Sequence, residues 1–363
     1  MKQAWQQLKS LYWRYERHLS SVSLLAGFVF DAVALKRVDL FIENFWIIVH
    51  LLMAAVGIIL LNLYENRRPG TWRTSVVHFW LVILIQFAFG GLFSTFLVFY
   101  FRSATLAVSW PFLALLAGCL IANELFKEHY IRLVYQVFIF FLSLFSFAIY
   151  FVPVVLHKIG PAIFVLSGLF SLLGLALFLW LLSVIAKERF KKSRRLLWFS
   201  LGGVYLLVNL LYFTNLIPPL PLALKDAGVY HSLERSRAGD YIVEAEPSDW
   251  RNYFKLNQPF TTTGPGTVYA FSAIFSPTKL DISIVHDWQH FNETTRSWQT
   301  ISRVTLPIVG GREEGYRTYS TYNQLSAGHW RINVTTGRGQ VLGRIRLLVT
   351  KAPTLPALVR ETH

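Results

Sequence analysis

Cysteine and charge are both scarce in this sequence. The single cysteine, Cys119, lies inside an apolar run. One thiol excludes an intrachain disulfide and a cysteine-based metal site. Charged residues make up only 15% of the 363 residues, where a soluble globular chain carries about 25%. Catalytic signatures are missing as well. There is no Walker A loop, no His-Glu-x-x-His and no Gly-x-Ser-x-Gly. No motif calls for a cofactor or a metal, so none is expected.

Long hydrophobic runs are what the chain does have. Hydrophobic residues reach 54%, and most fall before residue 218. A bilayer core needs about 20 apolar residues in a helix. Runs near 19–35, 45–64, 76–101, 104–124, 131–155, 160–186 and 196–217 meet or approach that length. The expected fold class is an α-helical polytopic membrane bundle of about seven transmembrane helices, followed by a C-terminal all-β sandwich-like domain. Gly90-Gly91 marks a bend or a close helix contact, and Pro161 suits a helix start.

The formal net charge of +15 raises nucleic acid as a partner. The distribution of the charge argues against it. One set of flanks holds Lys2, Lys9, Arg14, Arg17, Arg67, Arg68, Arg73, Lys127, Arg132, Lys187, Arg189, Lys191, Lys192, Arg194 and Arg195. The alternate loops hold only Lys36, Arg37, Arg102 and Lys158. That asymmetry predicts a cytoplasmic N-terminus and, after seven crossings, an extracytoplasmic C-terminal domain. The basic run 187–195 also suits anionic membrane lipids. Ala32-Val33-Ala34 resembles a signal cleavage site, and Asp31 beside it weakens that reading.

Five segments are expected. Residues 1–18, with Trp5, Leu8, Tyr12 and Tyr15 on one stripe, read as a cytoplasmic amphipathic interfacial segment. Residues 19–217 are the membrane domain, and 218–240 a linker opened by Pro218-Pro219-Leu220-Pro221. Residues 241–351 are the extracytoplasmic β-sandwich, and 352–363 a tail. Alternating β-branched and aromatic runs predict strands at 241–245, 267–275, 280–289, 297–307, 316–322, 329–335 and 341–350. Thr336-Gly337-Arg338-Gly339 predicts a hairpin between the last two.

Four pieces of the β region carry a resemblance. They are Ile284-Val285-His286-Asp287-Trp288, Tyr316-Arg317-Thr318-Tyr319-Ser320, Gly328-His329-Trp330-Arg331-Ile332-Asn333-Val334 and Gly339-Gln340-Val341-Leu342-Gly343. Together, over roughly residues 281–350, they resemble the bacterial family of domains of unknown function numbered 2914. The membrane half resembles an uncharacterised helical family numbered 5924. These resemblances imply a bacterial inner-membrane protein with a periplasmic domain. They bring no activity and no catalytic residues.

Two residue groups stand out as candidate sites. Ionisable residues in a membrane segment are functional candidates by default. Asp31, Asp39, Glu43 and His50 fall together near the outer side of the first two spans, and local ion pairing is the alternative reading. Asn62, His78, Asn123, Glu124 and Gln136 fall near inner helix ends. Only Gln86 and Asn209 sit at mid-depth, which weighs against an ion-coupled pump. In the β-domain, His286, Trp288, Tyr319 and Arg331 form a candidate binding surface. Alternation puts His286 and Trp288 on one face, and core packing is the competing reading for the tryptophans Trp288 and Trp330. His286, His290 and His329 are too scattered to define a metal site.

The function read from these features is a non-enzymatic inner-membrane protein whose periplasmic β-domain binds a protein or glycan partner. A transporter or channel for a small solute stays open as an alternative. So does a membrane enzyme acting on a lipid-linked substrate, with Asp39 and Glu43 as its acid and base.

Overall fold

The computed structural model describes residues 25–67, 76–125, 132–237, 239–247, 257–264, 266–276, 281–309 and 315–363. The expected interfacial segment 1–18 lies outside them. Two compact units emerge: Met1–Arg102 with Trp110–Thr214, and Ser103–Ser109 with Asn215–His363.

Seven helices are described, all in the first unit apart from the last residue of α3 and the first turn of α4: α1 (Leu25–Ala34), α2 (Phe41–Arg67), α3 (Val76–Ser103), α4 (Leu106–Leu125), α5 (Leu133–Leu156), α6 (Pro161–Ile185) and α7 (Lys187–Phe213). The last six are long and apolar enough to cross a membrane. The described α1 is ten residues, which rise about 15 Å, half a bilayer core. The part of the expected first span before Leu25 lies outside the described residues.

α5 is the hub of the bundle. It packs against α2, α6 and α7, and buries Phe140, Phe141, Phe145, Phe147 and Tyr150 among others. Its end is set by His157, whose φ of 52° is left-handed and whose N–H returns to Pro153 O. Pro161 opens α6 within its first turn, where a missing N–H costs nothing. Glycine lets α3 approach α2 closely. A Cβ on Gly91 would lie 2.7 Å from the His50 ring.

The second unit holds eleven described strands: β1 (Ala223–Tyr230), β2 (Ser232–Arg235), β3 (Tyr241–Ala245), β4 (Gln258–Thr262), β5 (Val268–Phe275), β6 (Asp281–Asn292), β7 (Ser297–Val309), β8 (Tyr316–Tyr322), β9 (Gly328–Thr336), β10 (Val341–Lys351) and β11 (Val359–Thr362). They form three sheets, ordered β1-β5-β8, β4-β10-β9-β6-β7 and β11-β3-β2. All pairings are antiparallel except β10 with β4. The hairpins follow their turn chemistry. Asn292 Oδ1 accepts the N–H groups of Thr294 and Thr295 between β6 and β7. Gly339, at φ 86°, closes the predicted β9–β10 turn.

The sheet β1-β5-β8 is the middle layer. On one side Val268 and Ala270 join Trp288, Trp330, Ile332, Ile345 and Leu347 of the five-stranded sheet in one core. On the other side Phe271 and Ala273 join Tyr230, Tyr241 and Val243 in a second core with the small sheet. A strand covered on both faces needs an apolar run without a solvent side. Val-Tyr-Ala-Phe-Ser-Ala-Ile-Phe of β5 is such a run, and seven of its eight residues are buried.

Residues read as linker and tail belong to this fold. β1 and β2 occupy part of 218–240, and β11 lies in 352–363. β1 pairs with β5, and β11 pairs with β3. Lys225, Asp226 and Gly228 break the apolar alternation of β1, so only its pairing makes it a strand.

Candidate functional site

At the candidate group Asp31, Asp39, Glu43 and His50, the turn between α1 and α2 is tied by side chains. The Glu43 carboxylate, which is buried, accepts the backbone N–H of Lys36 at 2.7 Å and of Arg37 at 3.1 Å. Arg37 donates to Asp39 at 2.6 Å. Arg102, from α3, donates to the carbonyls of Ala32, Leu35 and Lys36 at the end of α1. Those carbonyls have no partner within the helix, and a guanidinium there suits the negative end of the helix dipole. His50 Nδ1 shares a 2.8 Å contact with Trp46 O in its own helix, and its ring stacks on Phe87. Asp31 shares its surroundings with Ser94 and His50. The structure thus ties Asp39 and Glu43 to one turn and places Asp31 beside His50.

A second polar group links α2, α3, α5 and α7. Glu65 and Arg189 form an ion pair, with His78 Nε2 3.8 Å from Glu65. Arg189 also donates to Asn62 Oδ1 at 3.0 Å, and Asn62 Nδ2 donates to Gln136 Oε1 at 2.7 Å. Asn62, Glu65 and Gln136 are buried. Sequence reading missed Glu65, and took Arg189 as one of many topology charges. The two residues are far apart in the chain, and only the folded bundle, in which α2 and α7 both pack on α5 and α6, joins them. Gln86 and Asn123 exchange amide-to-carbonyl bonds between α3 and α4, and Asn209 donates to Tyr205 O in its own helix.

The four β-domain candidates lie in three different places. His286 and Trp288 face inward from β6, and both are fully buried. His286 shares hydrogen bonds with Ser272 Oγ at 2.9 Å and Ser320 Oγ at 2.8 Å, while Trp288 Nε1 donates to Ser320 Oγ at 3.0 Å. Burial pushes the His286 imidazole down to about 4. Tyr319 sits on the opposite side of the middle sheet, near Tyr241 and Tyr269. Arg331 is on the outer face of the five-stranded sheet. The expected common surface is therefore corrected. A period of two puts His286 and Trp288 on one face, and that face is the core. Among the described residues no group of three metal-capable side chains comes together.

The outer face of the five-stranded sheet brings other residues to Arg331. Register aligns Arg303, Asp287, Asn333 and Arg344 across four strands. The next row aligns Thr300, Gln289, Arg331 and Arg346. Side-chain bonds knit the rows. Arg303 Nε and Thr300 Oγ1 each donate to Asp287 Oδ1 at 3.1 Å. Arg331 Nε donates to Gln289 Oε1, and Arg344 Nε to Asn333 Oδ1, both at 2.6 Å. The Arg331 guanidinium lies 4.3 Å from the Trp298 ring centroid. Desolvation, then repulsion from Arg344 and Arg346, pulls its pKa down to about 10. Burial and Arg346 lower that of Arg344. These neighbours were not legible as a group, because adjacency across strands depends on register.

Residues 281–349 match the family model described as protein of unknown function (DUF2914). No curated protein matches the chain. Among solved structures, the chain aligns with the alkylpurine DNA glycosylase AlkC of Pseudomonas fluorescens bound to DNA with an abasic site analog. Identity is 9% and the TM-score 0.21, over 85% of this chain and 99% of that one. A score that low carries no argument about fold or function.

Proposed function

We propose that this is a non-enzymatic bacterial inner-membrane protein whose β-domain lies in the periplasm and binds a protein or glycan partner. The observation that carries this reading is the outer face of the five-stranded sheet. There, Arg331 and Arg344 are held by amides on neighbouring strands, and Trp298 backs Arg331. A face held in this way presents its charges without a large ordering cost on binding. The asymmetry of basic residues supports a cytoplasmic N-terminus and a periplasmic β-domain. The likeness of the membrane half to the family numbered 5924 belongs to the same reading. Periplasmic proteins, membrane proteins and glycans are the partner classes, with membrane lipids around the helices.

Two measurements test it. With Cys119 replaced, a cysteine introduced at Arg338 in the β9–β10 turn should react with a membrane-impermeant maleimide in cells with a permeabilised outer membrane. Protection until the inner membrane is lysed refutes the orientation. Purification from native membranes in mild detergent should recover a stoichiometric protein or glycan. That recovery should fall when Arg331 and Arg346 are both replaced by Glu. Equal recovery with the double variant refutes the outer face as the binding surface.

A further inference from the structure

The outer face carries an excess of positive charge concentrated at one spot. Arg331 and Arg346 are direct cross-strand partners, which sets their Cα atoms about 5 Å apart. Arg344 is two residues from Arg346 on the same strand, about 7 Å away on the same face. Like charges placed opposite each other on a sheet repel. Among the described residues the carboxylate that acts on Arg331 is Asp287, which already accepts Arg303 at 3.1 Å. Among the described residues no carboxylate pairs with Arg331, Arg344 or Arg346.

Two of the three side chains are also fixed differently from ordinary surface arginines. Arg331 and Arg344 spend Nε on amide oxygens of β6 and β9. Their terminal guanidinium nitrogens are then the donors left for a ligand, in the fork geometry that matches an oxyanion. Burial and mutual repulsion already make the cluster costly, and an anion seated among the three would relieve the repulsion.

The size of the cluster selects the anion. An extended polyanion calls for a row of cations along a strand or groove, whereas the Cα positions of these three arginines form a compact triangle on two adjacent strands. A carboxylate brings one charge and two oxygens, too little for three guanidinium groups. A phosphate monoester brings a charge near −2 and three strong acceptor oxygens. We propose that Arg331, Arg344 and Arg346 form a binding site for a phosphate monoester carried on a sugar. This deepens the reading of the outer face as a binding surface, and rests on it for the sugar.

The test is isothermal titration of the full chain, in neutral phosphatidylcholine nanodiscs, with glucose 6-phosphate, inorganic phosphate and glucuronate. Saturable binding of glucose 6-phosphate at one site is expected, at least about tenfold tighter than glucuronate. Arg331→Gln and Arg346→Gln should each weaken it about tenfold, the scale of one charge-assisted hydrogen bond lost. Arg303→Gln should leave it within about twofold, since Arg303 is engaged with Asp287. Unchanged far-ultraviolet dichroism and melting keep a folding defect from imitating lost binding, and Arg346→Lys retains the charge as a second variant. No saturation with glucose 6-phosphate, equal affinity for glucuronate, or equal loss in Arg303→Gln overturns the proposal. Inorganic phosphate binding as tightly as the sugar phosphate overturns the sugar. Loss of glucose 6-phosphate binding in discs containing phosphatidic acid overturns the soluble source, since the lipid's own phosphate then fills the site. Partner recovery that still depends on Arg331 and Arg346 would leave the wider binding function standing in any of these cases.

Discussion

Lowering the pH from 7 to 5 should loosen the β unit through His286. The imidazole is buried between two serine hydroxyls and is held near 4 in the folded protein, against an ordinary 6.5. In the unfolded chain it takes up a proton as the pH passes 6.5. The folded chain refuses that proton until the pH nears 4. The stabilisation is therefore complete above about 6.5 and is lost progressively as the pH falls. Linkage between these two values gives a loss of about 2 kcal/mol from pH 7 to pH 5, and about 3 kcal/mol in full. Hydrogen exchange of the β6 amides reads this directly, once corrected for the intrinsic pH dependence of exchange. His286→Gln keeps hydrogen-bonding groups and removes the titration. The wild type should lose about 2 kcal/mol more protection than the variant over this interval, although the variant starts lower. Equal losses in the two proteins would refute the argument, because every other titrating group is common to both.

Three further outcomes follow from the packing. Glu65→Gln leaves Arg189 without its carboxylate in a mostly buried setting, and should cost about 3 kcal/mol, read as a lower melting temperature in detergent; an unchanged melt would show the pair to be dispensable. Gly91→Ala places a Cβ against the His50 ring and should cost about 1–3 kcal/mol, with His50→Ala restoring much of it in the double variant. Trp330→Ala empties the larger core of the β unit and should cost about 3–5 kcal/mol, read by urea unfolding followed through exchange at β9 and β10.

The helices were legible because hydropathy over a span of about 20 residues needs no partner to be read. The long strands were legible from alternation, and the expected bounds of β3 and β8 agree with the structure. What stayed hidden is what depends on pairing. β4 joins the fold through a parallel partner far along the chain, and β1 carries Lys225 and Asp226 within its run. The candidate site divides in the same way. Alternation tied His286 to Trp288 correctly and could not say which face was the core. Arg331 was found singly, whereas Arg344 and Arg346 join it only through the register of β9 with β10. The Glu65–Arg189 pair needed the bundle itself.

β5 contributes no candidate ligand contact, yet it borders both cores of its unit. A layer between two others has no outer side on which a substitution can be absorbed. Replacing a residue there changes one filled volume or the other, and residues on both faces are constrained at once. In a comparison of diverged sequences, β5 should therefore drift more slowly than the edge strands β7 and β11. A strand held constant in this way records geometry alone, and its constancy should not be mistaken for the mark of a binding residue.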